Sequence, residues 1–241
     1  MKKAPLLILL FFISDLTLAS LYLGNWAVQQ PFHKINLLLD LDGEANLPTW
    51  YSSMQLFLVA VFFAVFADHK FARPNRATWL LWVWPFVFAM LSIDEVARIH
   101  EWLGGKSDIF LPGGTRTHTL FRSTGIWMFL LGIPFFLFML GLIYSSRQYF
   151  REHAPVLKKL WLGLAVFVGS AVGIETIANF VANAGAGQVI EIFFEELGEM
   201  IGETFFLWAA YELLVSSGLT LKYKRPPKIK TARTLAVSER L

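Results

Sequence analysis

Six apolar runs, each near the roughly 20 residues that carry a helix across a bilayer, constrain this chain more than any other feature. They lie at about 5–26, 50–67, 78–101, 121–145, 159–181 and 189–215. Each is predicted helical, because a segment alone in hydrocarbon satisfies its backbone polar groups only within itself. Composition agrees, since 56% of the 241 residues are hydrophobic and only 16% are charged. Pro48, Pro74 and Pro155 fall between runs, where helices end. Pro85 and Pro134 fall inside runs, where neighbouring helices take up the freed carbonyls. The predicted fold is all-α: a bundle of six transmembrane helices over residues 1–221, followed by a basic, flexible cytoplasmic tail over 222–241.

The basic residues give the expected orientation. Lys2 and Lys3 precede the first run, and Lys70, Arg73 and Arg76 separate the second from the third. Arg147, Arg151, Lys158 and Lys159 separate the fourth from the fifth, and the tail follows the sixth. With six spans these all fall on one side, which the positive-inside rule assigns to the cytoplasm, together with both termini. This placement in loops explains the net charge of +3 without a nucleic-acid partner. The N-terminal run also has the form of a signal peptide with Ala19 near a cleavage point, and cleavage would leave five spans. Its apolar character continues through "LYLGNWAV", which favours a retained helix. No cysteine is present, so disulfides, thiolate metal sites and cysteine nucleophiles are excluded. No internal repeat supports an inverted-repeat transporter.

The acidic residues are the anomaly. The third run ends "LSIDEVARIHEWLGG", the fifth carries Glu175, and the sixth begins "EIFFEELGEMIGE". Asp94, Glu95, Glu101, Glu175, Glu191, Glu195, Glu196, Glu199 and Glu203 are therefore expected together in the outer half of the membrane. At 100° per residue, the five glutamates of the sixth run share an arc of roughly 140°. That face must meet protein or water, since charge in hydrocarbon costs several kcal/mol. Phe193, Leu197, Met200, Ile201, Thr204 and Phe205 form the apolar opposite face. Gly198 with Gly202, and Gly169 with Gly173, are spaced for close helix contacts. Arg98 is expected to pair with Asp94 and Glu101. Asp15 should face inward, Met54 and Gln55 should pack, and His33, His69 and His153 should be solvated in loops.

Three means of balancing these carboxylates remain open: bound protons, bound cations, or basic side chains from loop 102–122, which carries Lys106, Arg116, His118 and Arg122. The acids outnumber those bases. The expected cofactor is accordingly a divalent metal cation of unspecified identity, held by Glu95, His100, Glu101, Glu175, Glu195, Glu196, Glu199 and Glu203. His100 and Glu199 are the candidate catalytic residues, as general bases. The Glu-x-x-His element of bundle di-metal sites is absent. Loop "FLPGGTRTHTLFRSTG" has the glycines, hydroxyls and arginines that bind phosphate. Its Pro-Gly-Gly-Thr-Arg-Thr-His run and "EELGE" resemble, in a different order, motifs of undecaprenyl-pyrophosphate phosphatases, which would imply metal-assisted hydrolysis of a lipid phosphate.

The paired stretches "LSIDEVARIHE" and "FFEELGEMIGETFFLWAAYELL" resemble an uncharacterised family of bacterial multi-pass membrane proteins. That family has an Asp-Glu-x4-His-Glu element in one helix and Glu-Glu-x-x-Glu in the last. The resemblance implies that Asp94, Glu95, His100, Glu101, Glu195, Glu196 and Glu199 belong to one site, and it implies no activity. The sequence-based expectation is thus a membrane protein, bacterial and cytoplasmic-membrane in location, with lipids as neighbours and a cation in its carboxylate site. Whether it is a metal-dependent enzyme on a lipid-linked substrate, a proton- or cation-coupled transporter, or a structural subunit stays open.

Overall fold

The structure is a computed structural model that describes residues 4–71, 76–116, 119–120, 125–150, 154–181 and 185–219. The predicted flexible tail, and Lys2, Lys3, Arg73, His118, Arg122, Arg151 and His153, lie outside the described residues. The fold is helical. Among the described residues, five helices are long and apolar enough to cross a membrane: Leu6–Ala27, Leu47–Lys70, Leu80–Ala97, Met128–Phe150 and Ala154–Phe180.

In chain order, α1 is Leu6–Ala27, the short α2 is His33–Leu39 and α3 is Leu47–Phe71. The short α4, Arg76–Trp79, leads through a 3-10 turn into α5, Val83–Ala97, and α6 is Ile99–Ser107. A π-helical segment, Met128–Gly132, opens α7, Ile133–Phe150. A second, Gly169–Ile174, joins α8, Ala154–Val168, to α9, Glu175–Val181. The last element is α10, Ala186–Ser216. Expected and observed ends differ most in the fourth run, expected at 121–145 and found at Met128–Phe150, while the third run is broken within its length. The third was read to residue 101, but α5 stops at Ala97 and a new helix begins at Ile99. His33 and His69, expected in loops, lie on α2 and in the last turn of α3.

The 31-residue α10 is the hub, packing on α8, α3, α1 and the second π segment. Two of its glycines make this possible. A Cβ at Gly202 would stand 2.7 Å from the Phe167 Cβ, and one at Gly198 would collide with the Ser170 hydroxyl. Helix α10 therefore lies against α8 and its π extension at backbone distance, the small-residue contact foreseen from their spacing. Gly169 and Gly173 play no such part: a Cβ on either would meet open space. Their segment is π-helical, which rotates them off the α-helical face assumed from the sequence.

Away from the glutamates, the bundle closes on stacked aromatic rings. Phe63 lies 4.9 Å from Trp84 and 5.8 Å from Phe88, and Phe88 meets Phe206 edge-on at 5.0 Å. Phe150 packs edge-on against Trp84, whose indole N–H donates to the Ser146 hydroxyl at 2.9 Å. The Trp84 indole nitrogen is thus satisfied where it is buried. Lys159 pairs with Glu212 and lies over the Trp208 ring.

Candidate functional site: a carboxylate cavity

The opposite end of α10 faces a cavity of about 830 Å³ bordered by α3, α5, α6, α9, α10 and the two π segments. All of the sequence-proposed ligands except Glu203 line it: Glu95, His100, Glu101, Glu175, Glu195, Glu196 and Glu199. The arc of α10 glutamates read from the sequence is therefore a wall of this cavity. The residues share a chamber without converging on a point. Among the described residues, no three His, Asp or Glu side chains are grouped so that they could hold a metal ion directly.

Three local devices aim these groups. The first is the break between α5 and α6. Arg98 adopts the left-handed conformation, φ 54° and ψ 39°, while its N–H still bonds the Asp94 carbonyl at 2.7 Å. A non-glycine residue held there costs about 1–2 kcal/mol. The break turns His100 back over α5, where Asp94 takes it twice: Oδ1 accepts the His100 backbone N–H at 2.9 Å, and Oδ2 lies 2.7 Å from Nδ1. Asp94 thus pairs with His100, and the expected Asp94–Arg98 pair does not form. Arg98 instead bridges Glu101 and, at 3.2 Å, Glu44.

The second device is the pair of π segments. Each carries a wider turn than an α-helix, a feature frequent at functional sites. They touch where a Cβ on Gly132 would stand 3.0 Å from Val172. Between them the Trp127 indole N–H donates to Glu175 Oε1 at 3.0 Å, and the Trp127 ring lies 5.5 Å from the His100 ring. Trp127 joins the fifth run's carboxylate to the α6 histidine. Nothing in the sequence reading singled it out, although a tryptophan between a polar loop and an apolar run is a usable signal.

The third is the loop before α3. Asn46 Oδ1 accepts the Thr49 backbone N–H at 3.1 Å, capping α3, and its amide donates to the Asp40 and Gly43 carbonyls at 2.6 Å each. This holds Asp42 and Glu44 in the cavity wall. Burial, together with Asp40 and Glu101, pushes the Asp42 carboxyl above its ordinary range. Burial does the same to Glu44, although the Arg98 guanidinium opposes it. Burial alone would lower His100, but its bond to Asp94 and the charges of Asp94 and Glu101 raise it overall. The Glu101 bond raises Arg98 further.

The two arginines in the wall do not balance the acids. Arg98 is engaged as above, and Arg116 donates to Asp108 Oδ2 at 2.8 Å. His118 and Arg122, expected to help, lie outside the described residues.

Glu203 departs from the expected set. It is 1% exposed and sits behind the wall, where Oε1 accepts the Ser52 hydroxyl at 2.6 Å. Beside it, Asp15 accepts from Tyr51 at 2.6 Å, Thr204 at 2.8 Å and Gln55 at 3.3 Å. Gln55, expected only to pack, is a hydrogen-bonding residue, and Thr204, placed on an apolar face, closes the network. Asp15 does face inward, into this group and not into the cavity.

With this geometry in view, the relationship of the chain to others is informative. A family model described as a domain of unknown function, DUF8692, matches residues 6–215. The chain belongs to that family. The match spans α1 through nearly all of α10, so both the cavity and the buried Asp15 network lie within this DUF8692 domain. No curated protein and no solved structure matches the chain.

Proposed function

We propose that this DUF8692 protein is a six-span membrane protein that binds a divalent cation in its carboxylate cavity. The sixth span is α10, whose glutamates face the chamber and not lipid. The loop charges favour cytoplasmic termini, which would put the cavity in the outer half of the bilayer, and the resemblance of the acidic stretches points to a bacterial cytoplasmic membrane. The observation that carries the reading is the excess of carboxylates over engaged arginines around one chamber of about 830 Å³. Its width and the absence of a chelating trio among the described residues suit a cation that keeps part of its water shell, as magnesium does.

The Asp94–His100 pair supports a catalytic reading of the same site. A histidine oriented by a carboxylate is the arrangement of a general base, and His100 and Glu199 share the chamber it would serve. A bound cation would supply Lewis-acid activation of water or of a lipid-linked phosphate. His100 would accept the proton through Nε2, Asp94 would fix the ring, and Trp127 would hold Glu175 in place. The stacked aromatic end favours a closed chamber, and so chemistry over transport.

Elemental mass spectrometry of protein purified without chelators tests the reading, with the Glu195→Gln/Glu199→Gln double variant in parallel. Near-stoichiometric metal in the parent and its loss in the variant are expected. No metal in either would overturn the proposal.

A further inference from the structure

We propose that Asp15, Gln55, Glu203 and Thr204 form a second, inner site for a monovalent metal cation of sodium's size. The argument is one of hydrogen-bond accounting. The donors of Tyr51, Ser52, Gln55 and Thr204 are all used. The single Tyr51 hydroxyl hydrogen is shared between Asp15 at 2.6 Å and the Phe11 carbonyl at 3.0 Å, the Thr204 hydroxyl donates to Asp15, and the Ser52 hydroxyl donates to Glu203. The two amide hydrogens of Gln55 serve Thr204 at 2.7 Å and Asp15 at 3.3 Å. Two acceptors are left with none: Gln55 Oε1, on a residue 0% exposed, and Glu203 Oε2, on a residue 1% exposed. Reversing the Gln55 amide does not help, because its carbonyl would then face the Asp15 carboxylate.

Such orphaned acceptors cost about 1–3 kcal/mol each when buried, so the pocket lacks something that attracts oxygen. The two orphans sit on adjacent rungs between α3 and α10. Ser52 and Gln55 lie one turn apart and reach the neighbouring residues Glu203 and Thr204. Both free atoms are oxygens, one from a carboxylate and one from an amide, the ligand type of hard cations. Neither Asp15 nor Glu203 forms an ion pair with any described lysine or arginine. Both Asp15 oxygens already face donors, so a proton on Glu203 would leave the second carboxylate without a positive partner. Asp15 lies near the middle of α1, and Gln55 is eight residues inside α3. Coupling ions in membrane proteins are held at comparable depth. Ser52 stands in the cavity wall and bonds Glu203, so it separates this site from the chamber above.

The test is thermal unfolding of the full chain in lipid nanodiscs, with sodium chloride exchanged for choline chloride at fixed ionic strength. A ligand bound only by the folded state raises the midpoint as its concentration passes Kd. A saturable rise with sodium and none with choline is expected. Gln55→Leu should need roughly tenfold more sodium, the loss of one ligand. Thr204→Ser should respond like the parent, and this keeps the test alive if Gln55→Leu fails to fold, with Thr204→Val as its non-binding counterpart. The Glu195→Gln/Glu199→Gln variant should keep its sodium response, which separates this site from the cavity. No sodium-specific rise, an unchanged response in both Gln55→Leu and Thr204→Val, or a midpoint that follows pH but not sodium would each overturn the proposal. The last of these would make a proton the occupant.

Discussion

The two ends of α10 solve opposite problems. At its C-terminal end, the charged and indole groups are matched: Glu212 meets Lys159, and the Trp84 N–H meets Ser146. The rings of Phe63, Trp84, Phe88, Phe150 and Phe206 fill the remaining space. At its N-terminal end, Glu195, Glu196 and Glu199 face a chamber that protein atoms leave unfilled. One end is filled by packed rings. The other leaves its carboxylates lining open space.

That contrast predicts opposite signs for substitutions at the two ends. Phe88→Ala, at a side chain 0% exposed, should destabilise by about 3–5 kcal/mol through the cavity it opens. Unfolding in mixed micelles at graded SDS would measure the loss, and a change under a third of this would place the stabilising core elsewhere. Glu199→Gln should do the reverse in metal-free protein, stabilising by about 1 kcal/mol, because a half-buried carboxylate crowded by Glu195 and Glu203 on its own helix gives way to a neutral amide. A destabilisation there would mean that Glu199 has a positive partner.

The smallest effect concerns His100. Its folded-state pKa lies above the ordinary 6.5, so its contribution to stability is full below pH 6.5 and is lost as pH rises through the folded value. The midpoint difference between the parent and His100→Gln should therefore shrink from about pH 6 to about pH 8.5. A difference that does not vary with pH would mean that the Asp94 contact is indifferent to the imidazole's charge. The ring is 38% exposed, which keeps this effect modest.

Helical periodicity and hydropathy made much of this visible beforehand. The runs, the acid-bearing face of α10 and the close approach at Gly198 and Gly202 are all consequences of 3.6 residues per turn applied to one chain segment. What escaped were departures from that number and contacts between segments. Arg98 breaks the third run in a conformation rarely adopted outside glycine, and no projection at a constant angle per residue carries through such a break. The π segments shifted Gly169 and Gly173 off their supposed face. Gln55 and Thr204 are separated by 149 positions, and no local pattern reveals that they share a hydrogen bond. Buried amides and hydroxyls in apolar runs are, in retrospect, the signal that deserved a partner search.

The π segment Gly169–Ile174 also bears on how this helix can change over time. A wide turn of this kind holds one residue more than the α-helical turn it replaces, so it records an inserted position in an otherwise regular helix. The wide turn absorbs that residue, so the helix beyond it keeps its direction, whereas losing a residue elsewhere in α8 would swing everything beyond it by about 100°. Glu175 would then leave the Trp127 indole and turn away from the chamber, so a descendant with such a loss would have to rebuild a wall of its cavity. Length in this helix is therefore a functional quantity, fixed to the single residue, while the identity of many of its lipid-facing side chains is free to drift.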